Sequence, residues 1–193
     1  MALKRVKIVL DADVIIHFSK GGLLSLLPQI FPEYDYIVLD KVYDELTTVR
    51  NQLDNQILYF KNIRKVVFAP TSEMLREYAV LKSCFGDGES ACMTYCRFTS
   101  NIIGSSNLRD IKNYCTDHGI TYLTTLDFLY YAWYRRLLTD QECITFINEV
   151  VSRGSRLPVI QTITHYRPNL VLQIEKKMLP YLSVILQIPL IVV

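Results

Sequence analysis

The sequence predicts an α/β fold in which a parallel sheet lies between two layers of helices, a three-layer α/β/α sandwich. Short runs of branched apolar residues alternate with stretches of helical periodicity from about residue 7 to residue 125. Several of these runs are continuously apolar, as in "KIVL" and "YIVL", which is typical of strands buried on both faces. Such alternation of strands and helices favours parallel strands joined by helical crossovers.

The predicted elements follow one another in a regular order. Five strands are predicted, at "KIVL" from residue 7, "YDYIVLD" from 34, "RKVVFAP" from 64, "NIIGSSN" from 101 and "ITYLTT" from 120. The intervening segments predict two short helices over 14–31, a helix from Lys41, its continuation over 51–60, a helix over 71–84 capped by Thr71 or Ser72, a helix beginning near Glu89, a helix over 108–119 ending at Gly119, and two helices over 126–154 joined near Thr139.

The chain is expected to form one domain with a short extension. Residues 1–155 carry the strand and helix alternation, and 156–193 form a C-terminal extension. Its last stretch, Met178 to Val193, is strongly apolar but contains two prolines and is shorter than the ~20 residues of a spanning helix. We therefore expect it to pack on the domain or at a homodimer contact, and not to enter a membrane.

Composition narrows the function classes. The net charge of +2 does not indicate a strongly basic nucleic-acid-binding surface, although a local basic patch remains compatible with it. The five cysteines contain no C-x-x-C pair, and the three histidines do not complete a zinc pattern, so free thiols are expected. No P-loop and no G-x-G-x-x-G motif is present, which argues against those nucleotide-binding folds. The N-terminus lacks the shape of a signal peptide, so a cytoplasmic protein is expected.

Acidic and amide side chains follow several of the predicted strands. Asp11 comes directly after the first strand, Glu45 lies early in the helix after the second, and Glu89 opens a later helix. Asn107 and Asp110 follow "NIIGSS". Because the carboxyl ends of parallel strands open on one edge of a sheet, these oxygens are expected to converge there. Hard divalent cations prefer oxygen ligands, so the sequence predicts a Mg²⁺ or Mn²⁺ site.

Each acid also has an ordinary structural explanation. Glu45 fits a solvated position of an amphipathic helix, whereas Glu89 and Asp110 fit first-turn residues that interact with their own helix dipoles. Asp13 fits an Asx-type cap of a helix that starts at Val14 at least as well as it fits metal binding. Only the shared strand-to-helix position of the four segments favours the functional interpretation.

The chain resembles the PIN-domain family, which includes the VapC-type toxin ribonucleases. The matching segments are "IVLDADVII", "VLDKVYDEL", "GDGESACMTYC" and "IIGSSNLRDIKNYCTDHGITYLTT", within about residues 6 to 155. "GDGES" and "HGITYLTTLDFL" look most like a branch in which Gly-Glu opens the helix of the third acid. The order and spacing of these short motifs carry the resemblance, which implies a PIN-like fold.

The resemblance also implies a set of site residues. Asp11, Glu45 and Glu89 would bind the metal directly or through water, and Asp11, Glu45, Glu89 and Asp110 would form the catalytic set. The family's fourth acid falls at Asn107, which supplies an oxygen but no charge, so Asp110 one helical turn later is its expected substitute. Predicted metal ligands are thus Asp11, Glu89, Asn107 and Asp110, and predicted substrate contacts are Ser105, Arg109, Lys112 and Lys41.

Three functional hypotheses follow. The first is a Mg²⁺- or Mn²⁺-dependent endoribonuclease that hydrolyses RNA as the toxin of a toxin–antitoxin pair. The resemblance implies two protein partners for it, an antitoxin protein and a second copy of the chain in a homodimer. The second is a catalytically impaired PIN-like module that binds nucleic acid or protein, which the asparagine at position 107 favours. The third is another α/β phosphate-handling enzyme that uses carboxylate-bound Mg²⁺.

Overall fold

A computed structural model of the chain describes residues 5–169. Within this range it confirms the predicted α/β fold. The central sheet has five parallel strands in the order β3-β2-β1-β4-β5. Their bounds are β1 Lys7–Leu10, β2 Asp35–Leu39, β3 Ile63–Val66, β4 Ile102–Gly104 and β5 Tyr122–Leu123.

The helices connect these strands and cover both faces of the sheet. Between residues 5 and 169 the bounds are α1 Ala12–Lys20, α2 Leu27–Ile30, α3 Asp40–Glu45, α4 Arg50–Asn55, α5 Ser72–Leu81, α6 Asp87–Thr99, α7 Leu108–Asp117, α8 Thr125–Tyr134 and α9 Asp140–Ser152. A π-helical turn over Gln56–Phe60 continues α4, and a 3₁₀ turn covers Ile163–His165. None of the described helices is long and apolar enough to cross a membrane.

Two predicted helix starts are corrected. The predicted cap by Asp13 of a helix starting at Val14 is wrong, because α1 already begins at Ala12 and Asp11 is its N-cap. Asp11 has extended backbone angles, and its side chain accepts a hydrogen bond from the Ala12 N–H. Helix α6 begins at Asp87, two residues before the predicted start, with Gly86 as its N-cap.

The core lies on both sides of the central strands. Helices α1, α2, α8 and α9 pack with one another on one face, and α6 packs with α3, α5 and α7 on the other. Val9 and Ile37 in β1 and β2 have no solvent exposure. Phe128 of α8 makes edge-on ring contacts with Phe18 and Phe31 at centroid distances of 5.9 Å. This apolar packing gives the sheet a rigid edge on which polar side chains can be held.

The start of the C-terminal extension is tied to α8 by a buried carboxylate. Asp127 forms a capping box with Thr124 and has no solvent exposure. It also accepts hydrogen bonds from the Tyr166 hydroxyl at 3.1 Å and the Asn169 N–H at 3.0 Å. Residues 156–169 therefore pack on the domain, whereas the apolar stretch from Met178 to Val193 lies outside the described residues.

We expect the Tyr166→Phe substitution to lower the free energy of unfolding by about 1 kcal/mol, because it removes a partly buried hydrogen bond to Asp127 without changing the shape of the ring. Urea unfolding measures this difference. Tyr59→Phe is the control, since Tyr59 is 78% exposed. Equal effects of the two substitutions would contradict a stabilising role for the Tyr166 hydroxyl.

Candidate functional site

The candidate site lies at the carboxyl edge of the sheet, between β1 and β4. Strands β2 and β3 lie on one side of β1, and the later strands β4 and β5 lie on its other side. The direction in which strands are added to the sheet therefore reverses between β1 and β4. Ligands of open α/β sheets bind in the crevice at such a reversal. Leu10 pairs with Gly104, and the Asp11 N–H donates to the Gly104 carbonyl at 2.9 Å. The segment after β1 and the segment after β4 therefore meet at this point.

Asp11 and Asp13 occupy this crevice and use their oxygens on backbone amides. Oδ1 of Asp11 accepts from the Ala12 N–H at 2.8 Å, and only 6% of the residue is exposed. Oδ2 of Asp13 accepts from the Ser106 N–H at 2.6 Å, while its Oδ1 accepts from the Val14 N–H, also at 2.6 Å. Asp13 thus joins α1 to the turn after β4, a role that its position in the sequence did not reveal.

Glu45 at the end of α3 reaches the first turn of α6. Its Oε1 accepts from the Gly88 N–H at 2.7 Å. A Cβ atom added at Gly88 would lie 2.8 Å from Glu45 Oε2 and 3.1 Å from the Val42 Cα atom. The glycine in "GDGES" therefore permits the close approach of α3 and α6. Glu45 itself is exposed, and its charge raises the pKa of Asp11 by less than burial does.

An amide bridges the two acids on the other side of the crevice. Nδ2 of Asn107 donates to Glu89 Oε1 at 3.1 Å and to Asp110 Oδ2 at 2.7 Å. Arg109, which is exposed, donates from Nε to Asp110 Oδ1 at 3.0 Å. Asp110 and Asn107 therefore lie together, as the sequence predicts, but here Asn107 presents an N–H donor and not its oxygen to the two carboxylates.

The buried carboxylates destabilise one another. Burial raises the pKa of Asp11 to about 6 and, together with the charge of Asp11, raises the pKa of Asp13 to about 7. The pKa of Glu89 is raised to about 8 by burial and then by Asp11, Asp110 and Asp13. In contrast, the hydrogen bond from Arg109 lowers the pKa of Asp110. The crevice thus concentrates more negative charge than its own hydrogen bonds neutralise, which is the environment in which a cation binds favourably.

The donor set suits a hard divalent cation, but the side chains are not placed around one. Carboxylates, an amide and a hydroxyl line the crevice, and such oxygen donors are the ligands of Mg²⁺ and Mn²⁺. As placed, however, no group of three or more His, Cys, Asp or Glu side chains in residues 5–169 is arranged to hold a metal ion. Metal binding would therefore require side chains of the crevice to rotate.

Ser105 lies beneath the acids and not on the surface. It has no solvent exposure, and its hydroxyl lies 3.5 Å from Asp13 Oδ2 and accepts from the Asn107 N–H at 3.3 Å. Its predicted role as a substrate contact does not fit this position, because a fully buried hydroxyl cannot reach a bound RNA. Ser105 instead supports the orientation of Asp13 and of the turn that carries Asn107.

Of the predicted cationic contacts, Arg109 pairs with an acid of the crevice, namely Asp110. Arg109 and Lys112 are exposed on α7. Lys41 lies on α3 with its Nζ 3.6 Å from Asp87 Oδ2, and Lys82 lies 2.6 Å from the other oxygen of Asp87. The Tyr78 hydroxyl also donates to Asp87. Asp87 is therefore directed toward α5 and these cations, so it does not add a ligand to the acidic crevice.

Comparisons with known proteins identify no family. No protein-family model matches the chain, and no curated protein matches it significantly.

We expect Glu89→Gln to stabilise the metal-free protein at alkaline pH. A carboxyl with a raised folded-state pKa contributes stability at low pH and loses it as the pH rises through that pKa, here between about pH 5 and 8. Removal of the charge should raise the free energy of unfolding by roughly 2 kcal/mol at pH 8 and by much less at pH 5, since each pKa unit corresponds to about 1.4 kcal/mol. Urea unfolding at both pH values, with a chelator present, measures this.

Glu73→Gln is the matched control for this prediction, because Glu73 also lies in the first turn of a helix but is exposed. Its effect on the free energy of unfolding should be small at both pH values. A destabilising effect of Glu89→Gln at pH 8, or an equal effect at both pH values, would show that repulsion in the crevice is weak.

We expect Gly88→Ala to displace Glu45 and to lower the free energy of unfolding by about 1–3 kcal/mol, because the new methyl group overpacks the contact between α3 and α6. Urea unfolding at pH 7 measures this change. Gly86→Ala serves as the control, since a Cβ atom there would lie 3.8 Å from Glu45 Oε1, an ordinary contact distance. A Gly88→Ala variant as stable as the wild type would disprove the close approach.

Proposed function

We propose that this chain is a PIN-type, Mg²⁺- or Mn²⁺-dependent endoribonuclease. The observation that supports the proposal is the convergence of Asp11, Asp13, Glu45, Glu89 and Asp110, from four separate segments, on the reversal point of a parallel sheet. Burial, and after it the charges of neighbouring acids, raise the pKa values of three of these acids, so a bound cation would favour their ionised forms. The family resemblance adds RNA as the substrate and a toxin–antitoxin pair as the setting; these parts of the proposal rest on the motifs alone.

Five side chains would hold the cation: Asp11, Asp13, Glu89, Asn107 and Asp110. Each carboxylate offers about four lone-pair sites, so a carboxylate that accepts one backbone hydrogen bond keeps oxygen lone pairs for a metal. When bound, a divalent cation polarises a phosphodiester oxygen and lowers the pKa of water. Rotation of the Asn107 amide would turn its oxygen, in place of its N–H group, toward the cation. It would also break the hydrogen bonds from Asn107 to Glu89 and Asp110, so that both carboxylates would be available to the cation.

The remaining side chains orient the reactants. Asp110 stays ionised at neutral pH because Arg109 donates to it, so its carboxylate can accept a hydrogen bond from the attacking water. Arg109, Lys112 and Lys41 are the cations beside the crevice, and they contact phosphates of the RNA. Glu45 fixes the N-terminus of α6 and thereby the position of Glu89.

A second candidate is a PIN-like module that binds nucleic acid or protein without cleaving it. The bridging position of Asn107 favours it, because an amide donor there partly satisfies Glu89 and Asp110 in the absence of a metal. In this case the crevice is maintained by internal hydrogen bonds, and divalent cations are not required for binding.

Cleavage of a single-stranded RNA that carries a fluorophore and a quencher tests the first proposal. We expect cleavage with Mn²⁺ or Mg²⁺ and none with chelator, and we expect Asp11→Asn to reduce the rate on the order of a hundredfold or more. Asp117→Asn, an exposed position at the end of α7, should leave the rate unchanged. Absence of metal-dependent cleavage by the wild type, with RNA still bound, would support the second candidate instead.

We expect Asn107→Asp to increase stabilisation of the protein by Mn²⁺. The new carboxylate adds a negative charge beside Glu89 and Asp110, so it lowers the stability of the metal-free protein and strengthens cation binding. Thermal unfolding with and without Mn²⁺ measures both effects. Asn113→Asp on the exposed part of α7 is the control. If Mn²⁺ stabilised Asn107→Asp no more than the wild type, the ion would not bind beside position 107.

A further inference from the structure

Behind the acidic crevice, a line of hydrogen-bonded polar side chains runs from the half-buried Asp13 and Ser106 to the buried Thr125 and His17. Ser106 lies in the turn after β4, Thr125 begins α8, and His17 lies in α1. Thr125 has no solvent exposure, and His17 is only 5% exposed. Apolar residues would fill these positions at lower desolvation cost, so a row of polar groups at this place calls for a specific explanation.

The hydrogen bonds connect these residues in a single sequence. The Ser106 N–H donates to Asp13 Oδ2 at 2.6 Å. The Ser106 hydroxyl accepts from the Thr125 N–H and donates to Thr125 Oγ1, both at 2.8 Å. Thr125 Oγ1 lies 2.9 Å from Nδ1 of His17. Two elements of the helical layer, α1 and α8, are thereby bonded to the turn that holds Asp13.

The direction of donation follows from the inventory of donors. Since the Ser106 hydroxyl hydrogen points to Thr125, the Thr125 hydroxyl hydrogen is available for Nδ1 of His17, which then accepts. His17 is neutral, because burial and the nearby charge of Lys20 lower its pKa to about 4. A neutral imidazole with an accepting Nδ1 atom completes the sequence without adding charge to the core.

We infer that His17, Thr125 and Ser106 form a positioning chain, which holds Asp13 and the Ser106 turn in place beside the residues that would bind the divalent cation. The inference rests on the proposed function for its metal and goes beyond it in assigning residues that touch neither metal nor substrate. Groups hydrogen-bonded directly to metal ligands, as the Ser106 N–H is to Asp13, commonly change metal affinity or activity 10–100-fold when they are removed.

Thr125→Val tests the chain, because it keeps the shape of the side chain and removes the hydroxyl. We expect about a tenfold weaker Mn²⁺ affinity, measured by electron paramagnetic resonance of free Mn²⁺. Thr125→Ser should restore the affinity. The matched control is Thr94→Val, since the Thr94 hydroxyl is buried and has no hydrogen-bond partner in the described part of the chain. Wild-type Mn²⁺ affinity in Thr125→Val would overturn the positioning role.

Hydrogen exchange of the Ser106 amide provides a measurement that does not depend on metal. In the metal-free protein, Thr125→Val should speed this exchange about tenfold relative to the amide of Val9 in β1, whereas Thr94→Val should not. If the wild type binds no Mn²⁺, the proposed function fails. The exchange rate of the Ser106 amide then decides by itself whether the positioning chain holds Asp13. An unchanged relative exchange rate in Thr125→Val would overturn the inference in that case also.

Discussion

The pairing of β1 with β4 is the constraint on which the rest of the candidate site depends. These strands are separated by about 90 residues of sequence, yet Leu10 lies opposite Gly104 and the Asp11 N–H extends the ladder by one bond. This register places the residues that follow both strands within hydrogen-bonding distance, as the bond between Asp13 and Ser106 shows. A shift of one residue would turn every side chain to the opposite face of the sheet and separate the acids.

The acids in this crevice hold the fold together and oppose one another at the same time. Asp11 caps α1, and Glu45 caps the first turn of α6 from outside the helix. Such bonds stabilise helix ends that would otherwise leave N–H groups unpaired. The same placement concentrates negative charge in a buried space, and the resulting repulsion lowers stability whenever the acids are ionised. Conflicts of this kind between stability and local charge are characteristic of functional sites.

Asn107 moderates this repulsion without removing it. Its amide donates to two carboxylates and carries no charge of its own, so Glu89 and Asp110 can lie near each other in the metal-free protein. A carboxylate at the same position would strengthen cation binding but leave three acids without a donor between them. The amide at position 107 thus lets internal hydrogen bonds maintain the crevice.

The sequence by itself determined the α/β class, the parallel strands and the candidates Asp11, Glu45, Glu89 and Asp110, because apolar runs, helix periodicity and strand-end acids are local patterns. It left Asp13 open between a helix cap and metal binding, and it offered no signal for the bonds of Asp13 to Ser106 or of His17 to Thr125, since these bonds join segments about 90 to 110 residues apart. The burial of Ser105 and the donor role of Asn107 were likewise decided by tertiary structure. Side-chain direction and solvent exposure at a sheet edge depend on the neighbouring strands and helices, and no short stretch of sequence contains that information.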